Sequence, residues 1–469
     1  MLFNSYPFVF GFLPVMLAGF AIVSAYDLRR AGAALLIFGS FFFYSWWNWH
    51  YLFLFGFSIA FNYWWSLPLA PGSDGPRTAA HRRVMLGTGV AVNLALLGYF
   101  KYRNFAVEAA GAAIGHHWAL APLVLPLAVS FFTFEQITYL VGAYQGEEGH
   151  GDFLSYCLFI TFFPHLIAGP IVRYYEIYPQ MNRNTRFTFS ADNFSAGLMI
   201  FAIGLFKKVM LADTFRVFVG PIFDRMSMVS FFDAWGAALA FALQIYFDFS
   251  GYSDMAIGLA RMFNVKFPEN FDSPYQARDI IQFWRRWHIT LSYFLRDYLY
   301  IPLGGNRRGE VRRHINLMIT MVLGGLWHGA NWTFLLWGAA HGVMLSINHL
   351  WERAKWRMPA AAAWALTFTL VTAAWVLFRA QTFTRAALLF ASMLGVNGFA
   401  WHAVRGSIGP HEARQLLAGL VIVLLFPNRQ AIMAWRWEND YIYAGAFAVL
   451  AAVSILSMAN PPPFIYFQF

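Results

Sequence analysis

The chain has 469 residues and is strongly apolar: 59% of the residues are hydrophobic, 20% are aromatic and only 12% are charged. Soluble domains carry about 25% charged residues, so this composition excludes a purely water-soluble protein. The formal net charge is +10. Because the basic residues lie between apolar stretches, they are typical of anchors at anionic lipid headgroups and argue against a nucleic-acid-binding protein. A single cysteine, Cys157, excludes an intramolecular disulfide.

Long stretches without Asp, Glu, Lys or Arg predict membrane-spanning helices. Residues 31–73 and 314–351 are two such stretches, and about 20 apolar residues suffice to cross the hydrocarbon core as a helix. These runs are too long and too uniformly apolar for the strands of a barrel. We therefore predict an all-α, multi-pass integral membrane protein with about eleven to thirteen transmembrane or re-entrant helices. The predicted segments are 7–26, 31–47, 50–69, 84–100, 119–144, 153–172, 194–212, 233–260, 315–330, 332–350, 359–378, 413–427 and 441–459.

Basic residues in the short loops predict the orientation. Arginines at 29–30 follow the first segment, and arginines within 77–83 follow the third. Cytoplasmic loops carry the excess of Lys and Arg, so the N-terminus is expected outside, although basic residues at 101–103 favour the opposite. No Lys or Arg precedes the first segment, which favours a retained helix over a cleaved signal peptide.

One segment, 261–313, differs in composition from the rest of the chain. It contains ten of the 33 Lys and Arg residues and five acidic ones, together with many aromatic side chains. It is too polar to span a membrane and too aromatic for a solvated tail, so we predict amphipathic or re-entrant helices and loops on the cytoplasmic side. No internal repeat or separate soluble domain is evident, and residues 1–469 are predicted to form a single membrane domain.

The first candidate site lies in the charge-free run 314–351, at Gly324–Trp332. Glycines at 324, 325 and 329 lie close to His328 in sequence and allow close approach of a ligand or another backbone. A neutral imidazole at membrane depth can accept a proton from a hydroxyl group. The alternative is a histidine that only packs between helices. The candidates of this cluster are His328, Trp327, Asn331 and Trp332.

The second candidate site is Phe283–Ser292, in the basic segment. Trp284 and His288 are four residues apart, which predicts that they share a helical face. An interfacial amphipathic helix would explain the Trp and Arg residues equally well, but not the histidine. The candidates of this cluster are His288, Trp284, Arg285, Trp287 and Ser292.

The third candidate site, Gln244–Asp254, contains polar side chains that interrupt what would otherwise be an apolar span. Either a ligand site or a polar network joining helices explains it, and in both cases Asp248 is suited to hold a basic partner. The candidates are Tyr246, Asp248, Ser250 and Tyr252. His341 ranks lower, because a continuous helix would place it on a different face from His328.

At these motifs the chain resembles the membrane-bound O-acyltransferase family, in the bacterial branch that contains the alginate O-acetylation protein and the D-alanyl transferase of teichoic acid synthesis. Phe283–Ser292, Arg296–Asn306 and Gly325–Ala330 carry the resemblance most specifically. Residues 163–173, 246–254, 3–10 and 463–467 resemble that branch too, so the likeness covers nearly the whole chain. His165 and the pair Glu135-Gln136 depart from its usual pattern.

The resemblance implies helices around a central tunnel, with His328 as the family's nearly invariant histidine and His288 as its second catalytic position. It also adds Arg296, Asp297 and Asn306 to the candidate residues. His328 is expected to act as general base on the acceptor hydroxyl, and His288 to orient the donor or stabilise charge. No metal or bound cofactor is expected.

The implied activity is O-acyl transfer, most simply O-acetylation of an exported polysaccharide such as alginate, from a bacterial inner membrane. Acetyl-CoA or a carrier-bound acyl thioester would be the donor, and a periplasmic SGNH-type acetyltransferase or esterase would be a partner. Three alternatives stay open at this point. They are D-alanyl transfer from an acyl-carrier protein, a transporter, and a structural component of a polysaccharide export complex.

Overall fold

Helices are the only regular elements in the described part of the chain. The computed structural model describes residues 1–71, 78–116, 118, 120–121, 123–147, 150, 152–182, 188–224, 229–400, 408–434, 440–458 and 464–465. The chain divides into two compact units, the first formed by residues 1–201 and 252–268 and the second by residues 202–251 and 269–469. The assignment of one membrane domain to 1–469 stays a prediction.

The first unit contains nine complete helices among the described residues. They are α1 (Leu13–Ala25), α2 (Arg29–Ser45), α3 (Tyr51–Ser66), α4 (Ala79–Leu97), α5 (Arg103–Ile114), α6 (Val129–Gln145), α7 (Phe153–Thr161), α8 (Phe163–Leu166) and α9 (Tyr174–Asn182). Wider π-helical turns at Pro7–Phe12 and Gly98–Tyr102 precede α1 and join α4 to α5. Two long helices pass from one unit into the other: α10 (Ala191–Phe206) and α12 (Phe231–Met262).

The second unit contains the remaining helices and both histidine motifs. The helices are α11 (Asp213–Phe223), α13 (Ile280–Arg286), α14 (Ile289–Leu295), α15 (Glu310–His328), α16 (Trp332–Arg353), α17 (Ala360–Arg379), α18 (Phe383–Met393), α19 (Pro410–Leu425), α20 (Arg429–Ala434) and α21 (Asp440–Leu456). Further π-helical turns lie at Lys207–Ala212 and Arg296–Tyr300.

The chain is a multi-pass membrane protein. By length and composition, five helical stretches of the described residues can cross a membrane: Pro7–Ala25, Tyr51–Leu69, Ala79–Ile114, Ala191–Phe223 and Ala360–Arg379. The predicted all-α class is confirmed, and each of the thirteen predicted segments contains a helix. The predicted total of eleven to thirteen also counts helices that are shorter or more polar than these five.

Two predicted segments were wrong in extent. In the segment 119–144, the helix begins only at Val129, after Ala128 in a left-handed conformation with φ 63°. The segment 153–172 is broken at Phe162, where the backbone leaves the helical region and Pro164 starts a short new turn. Apolarity alone does not distinguish a buried irregular backbone from a helix, which explains both errors.

The basic segment 261–313 contains short helices and loops, and its predicted place on the cytoplasmic side stays a prediction. After α12 the chain has no regular secondary structure up to residue 273, then forms a turn at Pro274–Gln276, α13, α14 and the turn at Arg296–Tyr300. The prediction that Trp284 and His288 share a helical face was wrong. α13 ends at Arg286, and His288 has a left-handed backbone with φ 41°.

The third polar motif does not interrupt its span, because α12 is continuous from Phe231 to Met262. Asp248 holds a basic partner, as expected: its Oδ1 lies 2.5 Å from the Lys208 Nζ, and both side chains are buried. The same Nζ lies 2.9 Å from Asp213, and the backbone N–H of Ile465 donates to the second oxygen of Asp248 at 2.9 Å. Asp248 therefore anchors other segments of the second unit, which favours the polar-network interpretation at this position.

Glycines set the approach of α15 and α16, the two helices on either side of the first candidate site. A side chain on Gly325 would collide with the backbone carbonyl of Phe334, and one on Gly338 with that of Met321. Small residues allow helix backbones to pack this closely in membrane proteins. The two glycines thus fix the hairpin that presents the turn between α15 and α16.

The two departures from the family pattern meet in the first unit. His165 Nδ1 lies 2.8 Å from Glu135 Oε1, and both side chains are buried. Next to them in sequence, Gln136 accepts a hydrogen bond from the Tyr156 hydroxyl at 2.5 Å. The unusual residues at 135 and 165 are therefore partners of each other, which explains why they occur together.

Candidate active site

His328 is the last residue of α15 and is buried. The helix stops because Gly329 adopts an extended backbone, and Asn331 then caps α16 by accepting a hydrogen bond from the Thr333 N–H. The ring centroid of His328 lies 5.0 Å from Trp327, 5.2 Å from Trp337 and 5.2 Å from Phe378. The imidazole is thus held in an aromatic enclosure at a helix end.

His288 lies in the break between α13 and α14 and is 0% exposed. Its ring centroid is 4.6 Å from Phe249 and 6.2 Å from Trp327. Trp327 also contacts His328, so the two predicted catalytic histidines lie against the same indole ring. The structure brings together two residues that are 40 positions apart in sequence.

Asn270 fixes the tautomer of His288. The Asn270 side-chain oxygen accepts from the backbone N–H of Thr290 at 3.3 Å and from the Thr290 hydroxyl at 2.9 Å. A backbone N–H can only donate, so the atom facing it must be the amide oxygen. That oxygen lies 3.1 Å from His288 Nδ1, so Nδ1 carries the proton and Nε2 carries the lone pair.

His288 is therefore a neutral hydrogen-bond acceptor at its free nitrogen. Burial lowers the pKa of His288 to about 3, so the imidazole is uncharged at neutral pH. Its Nε2 is buried and has no hydrogen-bond partner among the described residues. A buried lone pair of this kind is suited to accept a hydrogen bond from a substrate hydroxyl or amine.

His341 has the opposite tautomer. The Trp284 indole N–H donates to His341 Nδ1 at 3.3 Å, and since an indole can only donate, the proton of His341 is on Nε2. This Nε2 is buried and has no partner in the described part of the chain. Trp337 contacts both His341, at 4.7 Å, and His328, at 5.2 Å. The continuous helix assumed in the sequence comparison of His328 and His341 does not exist, because the chain turns at Gly329–Asn331.

A cluster of tryptophans completes the aromatic enclosure. Trp375 lies 4.9 Å from Trp287 and 5.7 Å from Trp337 by ring centroid. The indole N–H groups of Trp337 and Trp375 are buried and, within the described ranges, have no acceptor. Tyr246 packs on Trp287 at 6.4 Å. Buried donors normally have an acceptor, so this cluster offers hydrogen bonds to a polar ligand.

The other predicted residues lie elsewhere or have structural partners. Asn331 donates to the Gln381 carbonyl besides capping α16, and the Ser292 hydroxyl donates to the Trp287 carbonyl at 3.4 Å. Arg296 and Asp297 pair with each other at 2.6 Å. Ser250 is buried, and Tyr252, in the first unit, packs on Phe3 at 4.8 Å. Trp332, Arg285 and Asn306 are exposed.

Sequence reasoning missed several residues that shape the site. Asn270 and Thr290 hold His288, while Phe249, Trp337, Trp375 and Phe378 enclose the two imidazoles. Three of these residues carried a local signal: Thr290 and Phe249 lie inside the second and third candidate motifs, and Trp337 is an aromatic residue four positions before His341. Among the described residues, no three His, Cys, Asp or Glu side chains are grouped so that they could hold a metal ion.

Comparisons with known proteins identify the family of this chain. Residues 116–390 match the profile of the MBOAT, membrane-bound O-acyltransferase family. The chain is 43% identical to the probable alginate O-acetylase AlgI of Pseudomonas aeruginosa, over 92% of this chain and 82% of that protein. It is 42% identical to the peptidoglycan O-acetyltransferase of Helicobacter pylori, over 85% of this chain and 80% of that protein.

A more distant relative is the teichoic acid D-alanyltransferase of Streptococcus thermophilus, which is 28% identical over 49% of this chain and 58% of that protein. The profile match includes the three histidines that are buried among the described residues of the second unit, His288, His328 and His341. On these matches, the chain belongs to the membrane-bound O-acyltransferase family.

Proposed function

We propose that this protein transfers an acetyl group to hydroxyl groups of an exported glycan such as alginate, directly or through a periplasmic SGNH-type partner. The observation that carries the proposal is the placement of His328, His288 and His341 around Trp327 and Trp337 in the second unit. One imidazole offers a fixed acceptor and another a fixed donor, next to a third at a helix end. Acyl transfer needs both kinds of group.

The proposed reaction assigns one role to each histidine. His328 takes the proton of the acceptor hydroxyl while the oxygen attacks the carbonyl carbon of the acyl thioester. The His288 Nε2 lone pair orients the hydroxyl, and the His341 Nε2–H donates to the carbonyl oxygen as negative charge develops there. The C–S bond then breaks, the new C–O ester bond is complete, and the thiolate takes the proton from His328.

The earlier expectation that His288 stabilises charge is revised in this proposal. In the tautomer that Asn270 sets, the free nitrogen of His288 has no proton to donate. Charge on the carbonyl oxygen needs a donor, and the described site offers one at His341 Nε2. We therefore assign His288 to the acceptor hydroxyl.

The donor and the membrane orientation belong to the same proposal. Acetyl-CoA or a carrier-bound acyl thioester would enter from the cytoplasmic side of the bacterial inner membrane, with the N-terminus outside. The ten Lys and Arg residues of 261–313 suit that side. This route delivers acyl groups across the membrane without exporting the carrier thiol.

D-alanyl transfer is the second candidate, because two relatives named as teichoic acid D-alanyltransferases are 28% and 25% identical over about half of the chain. The test is mild alkaline hydrolysis of glycan from cells with and without this protein, followed by identification of the released acid. We expect acetate that depends on the protein. Release of D-alanine would favour the second candidate, and no change in either acid would contradict both.

Asn270 provides a test of the tautomer assignment. We expect Asn270→Ala to lower kcat by about 10–100-fold, by analogy with the loss seen when the hydrogen-bonding partner of a metal-bound histidine is removed. Asn270→Asp keeps acceptors for His288 Nδ1 and Thr290, but its carboxylate raises the pKa of His288. Below that raised pKa, Nε2 is protonated and cannot accept a hydrogen bond, so activity should fall as the pH falls.

The measurement is the pH profile of the acyl-transfer rate for both Asn270 variants. Asn193→Ala is a matched control, since Asn193 donates to Asn264 in the first unit and should keep the wild-type profile. A merely structural role for Asn270 would lower the rate of Asn270→Asp equally at all pH values, and that result would contradict the assigned tautomer.

A further inference from the structure

Two cavities of opposite character adjoin each other in the second unit, beside the loop that joins α16 to α17. The first, about 390 Å³, is lined mainly by apolar side chains of these two helices, among them Met344, Ile347, Leu366 and Leu370. The second, about 680 Å³, is lined by the start of α17, by Leu424 and Leu425 at the end of α19, and by four polar side chains, Gln276, Arg278, Gln282 and Arg286. Arg278 and Ala360 line both cavities, so an amphiphilic ligand can occupy the two together.

The second cavity carries positive charge that the protein does not neutralise. Within the described part of the chain, neither Arg278 nor Arg286 forms an ion pair or a side-chain hydrogen bond, and no acidic residue lines this cavity. The amides of the two glutamines are already used, by the Leu424 carbonyl and by Asp279. Paired guanidinium groups bind phosphate oxygens well, because each offers two parallel N–H donors.

The carboxylates of the neighbouring apolar cavity have partners of their own. Asp279 accepts from the backbone N–H of Gln282 at 2.7 Å, where it caps α13. Glu352 lies 3.5 Å from His349. Because both carboxylates line the apolar cavity and neither lines the second one, the lining of the second cavity contains two arginines and no acidic residue.

The residues around this double cavity are of the types found at the interface between a lipid bilayer and water. Trp351 and Trp356 form a ring pair at 5.0 Å beside Lys355 and Arg357, and aromatic and basic residues of this kind concentrate at membrane interfaces. The apolar cavity follows α17 from Ala360 to Leu370. Ten residues of helix extend about 15 Å, which equals half of the roughly 30 Å hydrocarbon core.

We propose that this double cavity binds an anionic phospholipid, with its phosphate on Arg278 and Arg286 and one acyl chain along α17. The site is separate from the chemistry at the histidines and does not depend on the proposed reaction. Arg286 is two residues before His288, so a bound lipid also holds the end of α13 from which the His288 loop begins.

Native mass spectrometry of the purified full-length protein in detergent tests the proposal. Delipidated protein is titrated with phosphatidylglycerol or with phosphatidylcholine of identical chains. We expect preferential retention of phosphatidylglycerol, and about 30-fold weaker binding in the double variant R278Q/R286Q, since each arginine near a lipid surface contributes about 1 kcal/mol. The control R307Q/R308Q removes two exposed arginines of the loop before α15 and should bind like wild type.

A second variant tests the apolar half. Ala363→Phe fills the chain cavity without changing charge, and it should weaken phosphatidylglycerol binding while thermal stability is preserved. Equal retention of both lipids, or unchanged binding by R278Q/R286Q, would overturn the proposal. Displacement of phosphatidylglycerol by coenzyme A, combined with normal binding in Ala363→Phe, would assign the arginines to a water-soluble phosphate ester and would overturn it too.

Discussion

Replacing His328 by alanine is expected to reduce acyl transfer by about 10²–10⁴-fold, the usual contribution of a general base. His328 is buried at the end of α15, between Trp327, Trp337 and Phe378. The loss should appear in kcat, because the proton is transferred in the chemical step. The measurement is the initial rate of acyl transfer by purified protein, with the ester content of the cell-surface glycan as the cellular readout.

Removal of a buried ring can also destabilise the protein, so His328→Gln accompanies the alanine variant. Gln keeps a polar side chain of similar size but cannot act as a base, and it should be almost as inactive as Ala. His411→Ala, at an exposed position of α19, serves as the control for the loss of a histidine. Near-normal ester content in either His328 variant, at matched membrane levels, would contradict the assignment.

The helical membrane architecture could be predicted because lipid imposes simple rules on sequence. A chain without charged residues over 314–351 must place its backbone groups in helices. His328 could be proposed as a site residue for the same reason, since an ionisable residue in such a run is costly unless it faces a partner or a ligand. The neighbouring glycines, Gly325 and Gly329, also indicated close packing at this position. The structure shows such packing at Gly325, which lies directly against α16.

The partners of His288 could not be predicted, because they depend on tertiary contacts. Asn270 lies 18 positions away in an irregular segment between α12 and α13, where no periodicity links it to His288. The left-handed backbone of His288 was also invisible, because residues other than glycine rarely adopt it. The prediction of one helix from Trp284 to His288 was wrong because α13 ends before His288.

The contact between Glu135 and His165 is a second tertiary contact that could not be predicted from the sequence. Each looked like an isolated departure from the family pattern. The structure places their side chains 2.8 Å apart, inside the first unit. A single sequence cannot reveal such a pairing, because the two residues are 30 positions apart on separate helices, α6 and α8.

His341→Phe is expected to lower kcat by about 10²–10³-fold, the effect of removing one hydrogen-bond donor from a developing oxyanion. Phe keeps an aromatic ring among Trp284, Trp337 and Phe283, so the packing changes little. The variant loses the buried Nε2–H that the Trp284 hydrogen bond places on His341. KM for the donor should change far less than kcat, because the oxyanion exists only in the transition state.

His349→Phe is the matched control for this variant, since His349 lies two turns later on α16 and pairs with Arg313 at 2.7 Å. Trp284→Phe offers a finer test, because it removes the indole donor and leaves either nitrogen of His341 free to carry the proton. Its loss of activity should lie between those of His349→Phe and His341→Phe. If His341→Phe raises KM and leaves kcat unchanged, His341 contributes to donor binding in the ground state, and stabilisation of the oxyanion falls to Trp337 or Trp375, the other buried donors of the site.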